Sequence, residues 1–232
     1  MKLRRNKDPD PPGLEWDAHK PWKTQNELTD RQTIEYEGET YFCRTRDSSD
    51  GRWRVAYGSP VSGTGSRTFL FSDGELRWTA RTDHPIGGLV SEQGSVVVLG
   101  GGVADDLDGS VRVFDASGTT ELEASYEANV ADGDLSADGA LAVVQTHPPD
   151  NRTYLYDLTE GDLVADHASD WGQPSVARIG SDGDARYVYL SASHEKRPLY
   201  ALDETGSVTW ESERHRKRRP LIDRIRTRLR SA

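Results

Sequence analysis

A repeat of about 44 residues constrains the fold of this chain more than any other feature. A turn of the form Ser-x-Asp-Gly, or a near variant, occurs four times, with its glycines at positions 51, 94, 139 and 183, which are 43, 45 and 44 residues apart. A second series of turn glycines, at positions 74, 118, 161 and 206, has spacings of 44, 43 and 45 residues. Because two independent landmarks share one period, the sequence predicts four copies of one structural unit.

Each unit contains four short segments of alternating apolar and polar residues, separated by Gly, Asp and Ser turns. In the second unit these segments are 86–91, 95–100, 110–115 and 120–125. Alternation places one face of a strand on a core, and such turns suit tight hairpins. A four-stranded antiparallel unit of this length is typical of a β-propeller blade. The predicted fold class is therefore all-β, a β-propeller with about four four-stranded antiparallel blades, plus an extended N-terminal arm and a short C-terminal basic helix.

Two sequence patterns resemble known propeller repeats. The run LYALDETG at 199–206, followed by Trp210, resembles the A-x-D-x-x-T-G-x-x-x-W repeat of pyrroloquinoline-quinone-type β-propellers, with one residue missing between the Asp and the Thr. Gly74 to Trp78 repeats the second half, and SADGALAVV and SDGDARYVYL are similar to the strand turn of WD-repeat-like blades. The resemblance implies a propeller in which Trp78 and Trp210 pack between blades. No position matches the cofactor or metal residues of the quinone enzymes, so their activity is not carried over.

The charged residues are unusual in kind and in placement. The chain has 24 Asp and 15 Glu against 23 Arg and only 6 Lys, for a net charge of -10. This resembles proteins from a halophilic archaeon or its virus, and an acidic mesophilic protein is the alternative. Residues 214–232 carry nine basic residues and one Asp, a net of +8, which leaves -18 on residues 1–213. The chain lacks a long apolar run and a secretory leader pattern, so we expect a cytoplasmic protein, with a virion as the alternative.

Three regions are predicted: an arm at 1–32, a propeller at 33–213 and a basic amphipathic tail at 214–232. The arm is rich in Pro and charge but contains Trp16 and Trp22, which cover the chain's own propeller or bind a partner protein. The segment 33–37 resembles a strand and offers a way to latch the last blade. A closed ring is favoured, and the alternative is an open ring that forms a homo-oligomer with a second chain.

The tail combines a basic cluster with an apolar stripe. Pro220 suits the first turn of a helix, and the stripe follows it. Protein, nucleic acid and a membrane surface all compete as partners, but molar salt would weaken charge alone, which favours a protein groove. The predicted partner-binding residues of the tail are Arg216, Lys217, Arg218, Arg219, Leu221, Ile222, Ile225 and Leu229.

Catalytic motifs are not found in the sequence. It lacks a nucleophile elbow, a phosphate-binding Gly-rich loop with Lys, and metal-ligand spacing among its six His residues. The acidic loop 105–109 lacks the closing Glu of a calcium-binding loop. The sequence therefore predicts no catalytic, cofactor-binding or metal residues and no enzyme activity. The favoured function is a non-enzymatic protein-interaction or structural scaffold within a larger assembly. The alternatives are a small-ligand or enzymatic site at the central channel, and a peripheral membrane protein held by its tail.

Overall fold

Four antiparallel sheets form the fold. The computed structural model of the chain describes residues 11–12, 22–102, 107–168 and 174–218. Over these residues the chain forms seventeen strands, and each sheet is built from strands that follow one another in sequence. This confirms the predicted all-β, four-bladed propeller class.

The first sheet has five strands and each of the others has four. The first contains β1 (Asp30–Tyr36), β2 (Glu39–Asp47), β3 (Trp53–Pro60), β4 (Ser66–Ser72) and β5 (Glu75–Thr82). The second contains β6 (Pro85–Val90), β7 (Val96–Gly100), β8 (Gly109–Phe114) and β9 (Thr120–Tyr126). The third contains β10 (Val130–Leu135), β11 (Leu141–Thr146), β12 (Arg152–Asp157) and β13 (Asp162–Ala168). The fourth contains β14 (Val176–Asp182), β15 (Ala185–Ser191), β16 (Tyr200–Asp203) and β17 (Val208–Glu211).

The two series of repeat glycines lie in the two kinds of hairpin turn. The first series lies between the first and second strands of each repeat unit, and the second series between the third and fourth. All eight have a positive φ, from 59° to 90°, a conformation that glycine adopts without steric cost. In the second kind of turn, the side chains of Asp115, Asp157 and Asp203 each accept the backbone N–H two residues later. The period therefore reflects turn chemistry that each blade needs.

Apolar side chains hold neighbouring sheets together face to face. One buried cluster joins Val55 and Leu70 of the first sheet to Val96 and Phe114 of the second. A second cluster joins the second and third sheets, and another joins the third and fourth. The sheets are thus stacked in chain order, because the face that each sheet buries needs a neighbour.

Trp78 packs between two blades as predicted. It lies on β5, and its ring centroid is 5.1 Å from that of Phe114 on β8. A Cβ placed on Gly118 would lie 2.9 Å from Cγ of Trp78, so this turn of the second sheet must approach the indole closely. In the third sheet, Ala165 occupies the position equivalent to Trp78 and faces Gly206 of the fourth sheet. A Cβ placed on Gly206 would lie 2.3 Å from the Cβ of Ala165. In the first and third sheets, the residue four positions after the turn glycine therefore lies against the turn of the following blade.

The junction between the fourth and first sheets differs from the other three. A Cβ on Gly51 or Gly74, the turn glycines of the first sheet, would meet no described atom within 4 Å. The buried cluster on that side of the first sheet consists of its own residues, Tyr41, Cys43, Ala56 and Phe69. The segment predicted as a latch lies in β1, which pairs with β2 along its whole length, from Asp30–Thr45 to Tyr36–Glu39. It therefore extends the first blade and does not complete the last one.

The basic tail begins as a short helix. Helix α1 spans Glu213–Arg218, earlier than the helix predicted to start at Pro220, and residues 219–232 lie outside the described part. His215 is buried, with its ring 4.7 Å from that of Tyr200. Neither this helix nor any other in the described residues is long and apolar enough to cross a membrane.

Candidate functional site

A pocket lies where the first strand of each repeat unit ends. We call it the axial pocket. Its volume is about 430 Å³, and its walls come from all four sheets, with side chains near the ends of β2, β6, β10 and β14. Because these four strands surround the propeller axis, the pocket lies at one end of that axis. Propellers and other closed β structures place ligand sites in such positions, and this volume is within the usual range for small molecules.

Arg46 is the cationic group of the pocket that no neighbour neutralises by direct contact. It lies near the end of β2, and its Nη1 atom is buried with no hydrogen-bond partner among the described residues. Burial lowers the pKa of Arg46, while nearby Asp134 acts in the opposite direction. A guanidinium remains charged at neutral pH in spite of such a shift. A buried, unpartnered N–H on a charged group is costly, while the rest of this guanidinium lines the pocket.

Asp134, on the opposite wall, has both carboxylate oxygens engaged. Its Oδ1 accepts a hydrogen bond of 2.6 Å from Nε2 of Gln25, and its Oδ2 accepts one of 2.9 Å from the backbone N–H of Ile179. Burial raises the pKa of Asp134, because the charged form is the one that burial disfavours. Asp134 is therefore a structural acceptor that ties β10 to β14 and to the arm.

Asp132, two residues before Asp134 on β10, is also hydrogen-bonded through both carboxylate oxygens. Its Oδ1 accepts from the backbone N–H of Gln25 at 2.7 Å, and its Oδ2 lies 2.7 Å from Nη1 of Arg178 and 3.2 Å from the backbone N of Ala177. Burial raises the pKa of Asp132 to about 6, against the opposing effect of Arg178. The buried carboxylates of Asp132 and Asp134 thus bind the same segment of the arm.

That segment is residues 22–29, and it lies inside the ring of sheets. Its 3-10 helix, Gln25–Leu28, contacts β6 and β10. Arg44 of the first sheet donates to the carbonyl oxygen of Asn26 at 2.9 Å, and Arg178 of the fourth donates to the carbonyl oxygen of Lys23. All four sheets therefore contact the segment.

Ion pairs form part of the rim. Arg186 of the fourth sheet pairs with Asp138 of the third, and it lies 3.8 Å from Glu204. Asp47 pairs with Arg54 at 2.5 Å within the first sheet. Hydrogen bonding to Arg54 lowers the pKa of Asp47, so this rim carboxylate is ionised at neutral pH. The charged groups of the rim thus neutralise one another. Among the described lining residues, this leaves Arg46 as the cation without an ion pair.

The predicted partner-binding residues fall at several places. Trp22 is half-buried, and its backbone pairs with the loop after β15, through a 2.8 Å bond to the carbonyl oxygen of Glu195 and another from His194. Arg216 and Lys217 lie on α1, where Lys217 is 2.5 Å from Glu213. Arg218 ends that helix. The remaining predicted residues lie outside the described part of the chain: Trp16, Arg219, Leu221, Ile222, Ile225 and Leu229. Their roles stay predictions, as do the predicted domain boundaries.

Among the residues that the structure describes, no group of three or more His, Cys, Asp or Glu side chains is placed to hold a metal ion. In the acidic loop 105–109, Asp105 and Asp106 lie outside that part of the chain.

Sequence reasoning missed Gln25, Arg46, Asp132 and Asp134. One signal was available, because charged residues alternate along the first strand of a unit, at 44 and 46 in the first unit and at 132 and 134 in the third. Such a strand is surrounded by the other blades, so its charged side chains must meet partners at the axis. Gln25 carried no signal of its own.

Comparison with solved structures finds many chains that match this one in fold. No family model matches the chain, and no curated protein matches it. A solved structure of hydrazine synthase from Kuenenia stuttgartiensis aligns with a TM-score of 0.46 and 16% sequence identity, over 66% of this chain and 58% of that one. The prediction that this chain is not an enzyme is contradicted, because the protein with this likeness is an enzyme, and the prediction is withdrawn. A likeness of this degree assigns neither a reaction nor a substrate to this chain, which is described at the level of fold as an all-β, four-bladed propeller.

Proposed function

We propose that this chain is a ligand-binding propeller whose site is the axial pocket. The observation that carries the proposal is the convergence of four strand ends, one from each sheet, on a pocket of about 430 Å³ lined by Arg46, which no carboxylate of the described residues contacts directly. A pocket whose walls combine apolar side chains with convergent polar groups can hold and orient a small molecule.

The mixed character of the walls supports this function. Leu89 is buried, Leu135 and Ile179 are half-buried, and all three line the pocket beside Arg46. The arm segment 22–29 is held beside the pocket, because Gln25 bonds to Asp134, which lines it, and to Asp132. Apolar walls would bind the body of a ligand while a small number of polar groups would fix its orientation.

Saturation-transfer NMR with a fragment panel of charged and neutral small molecules tests the proposal. The blocking variant is Ser181→Trp, because Ser181 is exposed and lines the pocket. The matched control is Ser125→Trp, at an exposed position of β9 that does not line the pocket. We expect fragments whose signal is lost in Ser181→Trp and kept in Ser125→Trp. A panel in which every binder is unaffected by Ser181→Trp would refute the proposal.

A scaffold role through the tail is the second candidate function. It is favoured by the way the base of the tail is fixed: Arg214 is 2.5 Å from Glu195, and His215 is buried against Tyr200. A basic, apolar-striped segment that leaves a fixed point would present a stable surface to a partner protein. Replacing Leu221, Ile222, Ile225 and Leu229 by Ala should then abolish partner recovery in a pull-down at native salt. Replacing Leu163 and Val164, which are exposed on β13, by Ala is the control, and equal recovery with both variants would contradict this role.

A further inference from the structure

The axial pocket offers one positive charge to a ligand. Two arginines line it, Arg46 and Arg186, and Arg186 is committed to Asp138 and Glu204. Arg46 interacts with Asp134 through space only, and its buried Nη1 has no hydrogen-bond partner in the described part of the chain. A guanidinium with free N–H groups is the preferred partner of a carboxylate, which it can bind through two parallel hydrogen bonds.

The same pocket disfavours ligands with more negative charge. Asp47, Asp134 and Asp138 also line it, and no further uncommitted cation stands among the described lining residues. A second anionic group on the ligand would therefore face carboxylates without compensation. Asp134 offers little to a cation, because its two oxygens already accept from Gln25 and Ile179.

We propose that the axial pocket binds a small monocarboxylate with an apolar body, whose carboxylate pairs with the Arg46 guanidinium and whose body lies against Leu89, Leu135 and Ile179. This inference rests on the proposed function and adds the class of ligand.

Benzoate and its neutral isostere benzamide are the probes for this ligand class. Both have the same size and the same apolar ring, and only benzoate carries the charge. Charge-assisted hydrogen bonds make the difference between them, so we expect benzoate to bind the wild-type chain with a Kd about tenfold lower than benzamide. At pH 8.5, where inorganic phosphate is almost entirely the dianion, phosphate should not compete with benzoate.

Substitution at Arg46 tests the anchor. In Arg46→Gln we expect the Kd of benzoate to rise about tenfold and that of benzamide to change little. Arg112→Gln is the matched control, because Arg112 lies on β8 away from the pocket and pairs with Glu123. If Arg46→Gln does not fold, the comparison of benzoate with benzamide on the wild type and on Ser181→Trp still decides the question.

Two outcomes overturn the inference in distinguishable ways. If benzoate and benzamide bind equally and Ser181→Trp blocks both, the pocket is a ligand site but the monocarboxylate assignment is wrong. If benzoate binding is unchanged in both Arg46→Gln and Ser181→Trp, benzoate binds elsewhere on the chain. The monocarboxylate assignment is then wrong, and benzoate gives no support for the axial pocket as a ligand site.

Discussion

Removing the Trp78 indole should destabilise the contact between the first and second blades. Trp78 is half-buried and packs against a cluster that includes Val55, Leu70 and Phe114. Its ring lies 5.1 Å from that of Phe114 and closes on the turn at Gly118. Trp78→Ala would leave a cavity between two sheets that the turn cannot fill without moving the backbone.

The magnitude follows from the burial of this ring. Truncating a fully buried Trp to Ala costs about 3–5 kcal/mol, and an aromatic pair adds about 0.5–1.5 kcal/mol. Trp78 is only half-buried, and its buried Nε1 lacks a hydrogen-bond partner among the described residues, so its removal relieves one polar cost. We expect a loss of about 3 kcal/mol in the free energy of unfolding.

Urea unfolding followed by far-ultraviolet circular dichroism measures this loss without relying on tryptophan fluorescence. With an m-value of about 3 kcal/mol/M for a chain of this size, the midpoint should fall by about 1 M. The matched control is Leu76→Ala, on the same strand but 42% exposed, which should cost less than about 1 kcal/mol. Equal midpoints for the two variants would refute the assignment of Trp78 as the contact between blades.

Three further predictions concern the axis and the surface charge. The folded pKa of Asp132, about 6, lies above its ordinary value of 3.8, so the native state binds the proton more tightly and the stability from this group falls as pH rises through the window from about 4 to 6. Relative to Asp132→Asn, the wild type should therefore lose about 2 kcal/mol between pH 4 and pH 7 in urea titrations, and parallel pH profiles would contradict this. Gln25→Ala removes the 2.6 Å bond to Asp134, so amide hydrogen exchange should increase in residues 22–29 and stay unchanged in β7 and β11. An increase spread evenly over the sheets would count against a local role for Gln25. The acidic body, with a net charge of -18 over residues 1–213, should make the melting temperature rise with KCl up to molar concentration, and a flat profile would reject the halophilic interpretation.

The periodic part of the fold could be predicted because every blade needs the same local chemistry. The four segments predicted for the second unit lie within one residue of β6 to β9, and the repeat glycines mark both kinds of turn. These features depend on contacts within one blade, which a single repeat contains. The inter-blade role of Trp78 could be predicted from the resemblance to known propeller repeats, since its position four residues after a turn glycine recurs at Trp210.

The side-chain contacts at the propeller axis could not be predicted in the same way, because no single repeat contains both partners. The bond from Gln25 to Asp134 joins residues 109 positions apart, and it exists only once three sheets and the arm are in place. The arm was expected to be extended on account of its Pro and charge, yet its residues 22–29 lie between the sheets, since Asp132 accepts from the backbone N–H of Gln25 and Arg178 donates to the carbonyl oxygen of Lys23. The strand β1 paired with its own sheet, because its alternating pattern matches the neighbouring β2 as well as any distant edge.

The most direct test of the account is a crystal structure of the chain grown with 4-bromobenzoate, with anomalous data collected at the bromine edge. The account predicts bromine density inside the axial pocket, between Leu135 and Ile179, with the carboxylate within hydrogen-bond distance of the Arg46 guanidinium. The same crystals of Arg46→Gln should lack that density. Bromine density that lies only outside the pocket, or that is equally strong in Arg46→Gln, would contradict the claim that the four blades converge on a monocarboxylate site.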